Sequence, residues 1–189
     1  MYIPARNTKT TGFTLIELLV VVSLIAIITG AIVPTFSAYI QNQNVRQAQE
    51  QIKSDLRTVE NRALTGYGNS SGTIQYWGLL IRQDNATSYY YFSSATNDLA
   101  ACNAASTAEK SNTIPGSVVI RNGVASNWCI FFSLLNGDVS VIKAGYSSGA
   151  FPVISVGSQT GTNCGYVSLN SAGLITKTSA VNNTCEAAP

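Results

Sequence analysis

The residues that could carry out catalysis in this chain are few and scattered. The sequence has no histidine, which excludes a Ser-His-Asp triad and Cys-His catalysis. Asp84, Asp98 and Asp138 lack the spacing of a calcium loop, and no glycine-rich phosphate loop precedes a helix. We therefore predict that the protein is not an enzyme and that it uses no metal and no cofactor.

Four cysteines form a second group with possible chemistry: Cys102, Cys129, Cys164 and Cys185. None has CxxC spacing, which disfavours a zinc site. An even number is typical of disulfides formed in an oxidising compartment, and four buried free thiols are the alternative. Four cysteines allow three pairings. The pairs Cys102–Cys129 and Cys164–Cys185 are favoured because each closes a local loop of about 20–30 residues.

One carboxylate stands in an unusual place. No charged residue occurs from Leu18 to Val33, yet Glu17 lies inside the apolar region that begins at Phe13. A carboxylate in hydrocarbon costs several kcal/mol unless it meets a cation. Either Glu17 snorkels or is protonated in a simple membrane anchor, or it is kept to pair with a cation.

The element that holds Glu17 is a long apolar helix. At ~1.5 Å per residue, a helix over residues 13–40 would reach ~42 Å, which exceeds the ~30 Å of a bilayer core. Arg6 and Lys9 precede it without a nearby acid, so the N-terminus is expected in the cytoplasm. The run is longer than the apolar region of a cleaved secretory signal. The sequence therefore predicts a single-pass transmembrane helix over 13–40.

The stretch Gly12-Phe13-Thr14-Leu15-Ile16-Glu17, followed by an apolar helix with Pro34, resembles the signature of type IV pilins and type II secretion pseudopilins. The resemblance implies that a prepilin peptidase removes a leader, residues 1–12, by cleaving after Gly12. It also implies N-methylation of Phe13, which becomes the first residue. Glu17 would then pair with the N-terminal amine of a neighbouring subunit during assembly.

The resemblance further implies a structural subunit of a pilus or pseudopilus. The precursor would lie in the inner membrane and later enter a periplasmic or extracellular filament. Its partners would be copies of itself or other pilins, the prepilin peptidase, the assembly platform and the membrane. The alternative is a minor pilin whose exposed domain binds DNA or a surface ligand. Pilus or secretion pseudopilus, and major or minor subunit, stay open.

Gly30 and Pro34 predict a weak point in the helix. Proline removes a backbone donor and clashes with the preceding turn. In filaments of the family the corresponding stretch can lose its helicity. A static kink is the alternative.

Beyond the apolar run, the spacing of apolar residues predicts an amphipathic helix over 41–65 that ends near Gly66. Its core-facing stripe recurs every three or four residues and consists of Val45, Ala48, Ile52, Leu56, Val59 and Ala63. The apolar run and the amphipathic pattern together predict one long helix, whose first half lies in the membrane or filament core and whose second half packs on the globular domain. The predicted organisation is therefore a leader (1–12), the membrane or filament-core half of the helix (13–40) and a soluble domain (41–189).

Short β-rich runs follow between residues 73 and 178. A hairpin is expected around 83–87, Asn136-Gly137 is a strong turn signal, and another turn is expected at 171–173. Residues 94–116 are predicted as the longest loop. The fold class is α+β, with the helix packed on an antiparallel sheet or small sandwich. The predicted strands are 73–82, 88–94, 117–121, 129–135, 138–143, 151–156, 166–170 and 174–178.

The sequence also resembles the H-type minor pseudopilins, through the stretch QAQEQIKSDLRTVENRAL (47–64), the strands that follow it and a closing strand with Gly-Leu-Ile-Thr-Lys (173–177). Major and competence-type pilins remain alternatives. Glu17 argues against the pseudopilin at the filament tip, which typically lacks this acid.

Nucleic acid is a disfavoured partner. Residues 41–189 carry nine Lys and Arg against eight Asp and Glu, which gives little electrostatic steering. The Tyr89-Tyr90-Tyr91-Phe92 run is read as half core rather than as an adhesive patch. Asparagine triplets at 69–71, 85–87 and 182–184 match the weak glycosylation pattern. The basic residues beyond the amphipathic helix are separated in sequence: Arg82, Lys110, Arg121, Lys143 and Lys177.

Overall fold

The computed structural model describes residues 12–68, 72–82, 87–104, 110–121, 127–143, 153–158, 163–170 and 175–180. The chain divides into two compact units, Met1–Ile40 and Gln41–Pro189. Helix α1 (Leu15–Leu64) contributes residues to both. Gly30 and Pro34 lie within its bounds, and the predicted weakening there stays a prediction.

In the second unit, α1 buries the stripe that the sequence predicts. The six residues named above are at most 5% exposed, and they belong to one hydrophobic cluster with side chains from two sheets. The intervening positions include exposed charged residues such as Arg46, Glu50 and Arg57. The amphipathic prediction is confirmed.

The C-terminus of α1 also lies where the sequence predicts. Gly66 has a φ of 63°, in the left-handed region that glycine adopts at little cost. The Tyr67 N–H donates to the Arg62 carbonyl at 3.0 Å, and the Gly66 N–H donates to the Ala63 carbonyl at 3.1 Å. These two bonds form a Schellman motif, which satisfies helix carbonyls that would otherwise lack a partner.

The rest of the second unit is mainly antiparallel sheet. One sheet has the order β3-β2-β1-β5-β6 and the other β4-β7-β8-β9, and neighbouring strands pair antiparallel throughout. The α+β prediction is therefore confirmed. The elements after α1 are β1 (Tyr76–Ile81), β2 (Ser88–Ser94), α2 (Leu99–Ala104), β3 (Lys110–Thr113), β4 (Val118–Ile120), β5 (Trp128–Ser133), β6 (Val139–Lys143), β7 (Val153–Ser158), β8 (Cys164–Leu169) and β9 (Ile175–Ala180).

The prediction of one long loop over 94–116 is wrong, because this stretch contains α2 and β3. The β3 sequence, KSNT, is polar and lacks the alternation that signals a strand. Helix α2 has six residues, too few for a visible helical period. Its start is fixed locally, since the Ala101 N–H donates to Asp98 Oδ1 at 2.7 Å as at a helix N-cap.

The predicted hairpins are present. β1 pairs with β2, and β5 pairs with β6 across the Asn136-Gly137 turn, where Gly137 has a φ of 72°. The connections at 83–86 and 171–174 lie outside the described residues, as do the three asparagines of the glycosylation triplets.

The sheet that contains β1 is buried on both faces. Trp77, Leu79 and Ile81 join α1 in the first cluster, whereas Leu80 lies in a second cluster. Since successive strand residues point to opposite faces, this explains the continuous apolar runs of β1 and β5. The second cluster consists of Leu80, Phe92, Cys102, Cys129 and Phe131.

One buried polar side chain joins α1 to the other sheet. Gln49 is 2% exposed, and its side-chain N–H donates to the Tyr166 carbonyl at 3.1 Å. A Cβ at Gly165 would lie 2.3 Å from the Gln49 amide carbon. The close approach therefore requires glycine at position 165 on β8.

Candidate processing and assembly site

The residues of the predicted site lie at the beginning of α1. Gly12, Phe13 and Thr14 are exposed and precede the first helical residue, Leu15. The Thr14 N–H and hydroxyl both donate to Glu17 Oε2, at 3.3 and 3.2 Å. In return, the Glu17 N–H donates to the Thr14 hydroxyl oxygen at 3.3 Å.

This reciprocal pair is a capping box. It gives partners to two backbone N–H groups that the helix itself leaves unpaired. A Thr N-cap contributes about 1 kcal/mol to the helix, and a carboxylate in the first turn interacts favourably with the helix dipole. Glu17 therefore has a local role within its own chain. The Thr-x-x-Glu spacing is the signal that would have predicted it.

The apolar side chains of the first unit are exposed. Phe13 is 88% exposed, and Leu15, Ile16 and Leu18 are each more than 60% exposed. The hydroxyls of Ser23 and Thr29 donate to carbonyls of their own helix. Such bonds satisfy polar side chains without water. One face of this stretch combines six of these exposed residues: Leu15, Leu18, Leu19, Val22, Ser23 and Ala26.

Within the described part of the chain, no helix is both long enough and apolar enough to span a membrane.

Residues 7–33 match the prokaryotic N-terminal methylation motif. The matched stretch contains Gly12, Phe13 and Glu17, and it supports the type IV pilin and pseudopilin family. No curated protein and no solved structure gives a significant match to the chain. The H-type subtype stays a prediction. Residues 1–11, most of the predicted leader, lie outside the described residues.

The cysteines lie in the second unit. Cys102 on α2 and Cys129 on β5 form a disulfide, which confirms this predicted pair, and both residues are fully buried in the second cluster. Cys164 is also disulfide-bonded. Its predicted partner, Cys185, lies outside the described residues.

The tyrosine run contributes mainly to the core. Tyr89, Tyr91 and Phe92 are buried, and Tyr90 is half-buried. The Tyr89 hydroxyl donates to the Asp55 carboxylate, which also accepts a bond from the Asn112 amide at 2.8 Å. Burial, together with the adjacent carboxylate, raises the pKa of Tyr89. The cluster is a polar link between α1 and the β2–β3 pair.

Basic residues of the second unit pack against their own domain. The Arg82 guanidinium lies 4.6 Å from the Tyr90 ring centroid, and Lys110 Nζ lies 5.7 Å from that of Tyr91. The side chains of Lys143 and Lys177 are not among those described. Over the described residues, no three potential metal ligands from His, Cys, Asp or Glu lie together.

Proposed function

We propose that this chain is a structural subunit of a type IV pilus or pseudopilus. Its precursor is anchored in the inner membrane with the N-terminus in the cytoplasm, and the mature subunit assembles with copies of itself or related pilins. The observation that carries the proposal is the methylation motif over residues 7–33. The exposed, non-helical position of Gly12 and Phe13 supports it, since a peptidase must reach the bond between them.

Processing creates the cation that the assembly step needs. Hydrolysis of the Gly12–Phe13 peptide bond leaves a carboxylate on Gly12 and a free amine on Phe13. The amine is protonated near neutral pH and lies at the edge of the apolar surface. Glu17 of an adjacent subunit can neutralise it, and each charge then reduces the cost of burying the other.

The exposed apolar side chains of the first unit support a filament role. A large exposed apolar surface marks a site of contact with lipid or with another protein. In the precursor we assign that contact to lipid, and in the filament to the corresponding helices of other subunits. Close packing of apolar helices excludes water and strengthens the pairing of Glu17 with the amine.

The charge distribution favours this role over DNA binding. Non-specific affinity for DNA depends on several phosphate contacts by Lys and Arg. The second unit is nearly neutral, and Arg82 and Lys110 pack on tyrosine rings of their own domain.

The relative amount of the protein in sheared filaments distinguishes a major subunit from a minor one, because a major subunit dominates the filaments.

Identification of the mature N-terminus tests the proposal. Mass spectrometry of the protein from membranes and sheared filaments should find N-methylated Phe13 as the first residue. Gly12→Val should retain residues 1–12 and still insert, because the apolar helix is unchanged. A mature protein that begins at Met1, or after residue 36, would refute the proposal.

A further inference from the structure

Thr14 occupies the boundary between the cleavage position and the helix. Its hydroxyl accepts from the Glu17 N–H and donates to Glu17 Oε2, so its side chain closes the first turn of α1. Gly12 and Phe13 lie immediately outside that turn. The bond that processing would cleave is thus one residue removed from the N-cap.

The position of the helix start matters for cleavage. Peptidases act on exposed or locally opened chain, whereas a regular helix holds its peptide groups in internal hydrogen bonds. The precursor continues upstream with Thr10 and Thr11, which are also suitable N-cap residue types. A helix that began there would include Gly12 and Phe13.

Two features oppose such an upstream start. Gly12 is a poor helix former. In a helix that begins at Leu15, the Thr14 hydroxyl accepts from the Glu17 N–H and the Glu17 carboxylate accepts from the Thr14 N–H, and a longer helix would forfeit these side-chain bonds.

We infer that Thr14 is a positioning residue for leader removal. By capping α1 at Leu15, it keeps the Gly12–Phe13 bond in a non-helical, accessible conformation. The inference rests on the proposed function, because it requires that a prepilin peptidase cleaves this bond. It assigns to Thr14 a role that precedes assembly and is separate from the charge of Glu17.

The capping role and the charge can be separated by substitution. Glutamine retains the capacity of Glu17 to accept a hydrogen bond from the N-cap N–H, but it removes the charge. Serine at position 14 retains the hydroxyl, and alanine removes it. The variants Thr14→Ser, Thr14→Ala and Glu17→Gln therefore form a matched set.

The experiment measures the rate at which purified full-length precursor, in lipid vesicles, loses its leader to a prepilin peptidase. Thr14→Ala should slow cleavage about fivefold, the ratio that a typical N-cap contribution represents. Thr14→Ser should be cleaved at the wild-type rate. Glu17→Gln should be slowed less than Thr14→Ala, because it retains the acceptor for the Thr14 N–H and loses only the interaction of the charge with the helix dipole. Equal rates for Thr14→Ala and wild type, or equal slowing by Ser and Ala, would overturn the inference.

A second measurement distinguishes positioning from direct recognition of the hydroxyl by the peptidase. Backbone NMR of the precursor in micelles should show helical shifts extending to Gly12 and Phe13 in Thr14→Ala but not in Thr14→Ser. Slower cleavage without that extension would overturn the positioning role. Failure of the proposed function is distinguishable, since the wild-type precursor itself would then remain uncleaved.

Discussion

The two halves of α1 differ in where their apolar side chains find contacts. Leu19, in the first unit, is 59% exposed, whereas Leu56, in the second, is fully buried. The second half has a narrow stripe that matches the sheets of its own domain. The first half exposes apolar side chains instead, and Glu17, Ser23 and Thr29 are the polar exceptions over residues 15–31. One helix therefore combines two kinds of surface: the second half stabilises the fold, and the first half leaves apolar side chains exposed, which the proposed function assigns to contact with lipid or other subunits.

The largest effect expected is on assembly rather than on folding. Glu17→Ala should nearly abolish filaments, because the Phe13 amine of a neighbour would be buried without a counter-charge. Membrane insertion should stay level or improve, since the run becomes more apolar. Filament yield after shearing, compared with the amount of membrane-inserted protein, measures both. Normal filament yield in this variant would contradict the assigned role of Glu17.

A matched pair of leucine substitutions tests the comparison directly. Leu56→Ala should lower the free energy of unfolding of the second unit by about 2–5 kcal/mol, through lost burial and a cavity. Leu19→Ala should change it by less than about 0.5 kcal/mol, because Leu19 is exposed. Chemical denaturation of the full chain in detergent measures both values. Similar losses in the two variants would show that the first half of α1 also stabilises the second unit, contrary to the comparison above.

The disulfide should have a comparable effect, restricted to the second unit. Cys102 and Cys129 are separated by 27 residues, and closing a loop of that size contributes about 3 kcal/mol. Cys102→Ser with Cys129→Ser should lose that amount. It should also increase protease cleavage near α2, because the bond ties this short helix to β5. An unchanged unfolding midpoint in the double variant would mean that packing alone holds α2.

The sequence predicts those parts of the fold in which one local signal decides the outcome. The stripe from Val45 to Ala63, the glycine at the helix end and the Asn136-Gly137 turn are such signals, and the structure confirms each. Strand β3 depends on tertiary contacts instead, and so does helix α2 beyond the local N-cap at Asp98. Cys102 is held by the disulfide, and the β3 residues pair with β2 despite their polarity. A short sequence window does not contain those contacts.

The remaining contacts discussed above also differ in whether the sequence predicts them. The motif from Gly12 to Glu17 is visible in the sequence because its residues are contiguous. The capping box is equally local, since Thr14 and Glu17 are three residues apart, and the same acid also belongs to the methylation motif. The packing of Gln49 against Gly165 joins residues far apart in the chain, and sequence spacing cannot predict such a contact.

That contact provides a moderate test of the second half of α1. Gly165→Ala should destabilise the second unit by about 1–3 kcal/mol, because the added Cβ would overlap the buried Gln49 side chain. Adding Gln49→Ala should recover part of the loss by making room, although the bond to the Tyr166 carbonyl disappears. Denaturation of the single and double variants gives the coupling between the two sites. Strictly additive losses would show that the overlap is relieved elsewhere.

The smallest effect at neutral pH, and the most specific, concerns Tyr89. Its pKa is raised first by burial and then by its bond to the Asp55 carboxylate, so the folded chain retains a proton that the unfolded chain releases near pH 10. Stability from this cause is fully present below pH 10 and declines as the pH rises further. Tyr89→Phe should lower the free energy of unfolding by about 1 kcal/mol at pH 7, through the lost hydrogen bond, and should reduce the steepness of the alkaline decline.

Tyr91, whose pKa is raised for the same reasons, should account for part of the remaining slope. The stability of the double variant Tyr89→Phe, Tyr91→Phe should therefore depend even less on pH. Unfolding titrations of the full chain between pH 7 and pH 11 measure the slopes. If stability declined equally steeply in wild type and both variants, groups other than Tyr89 and Tyr91 would cause the loss of stability at high pH.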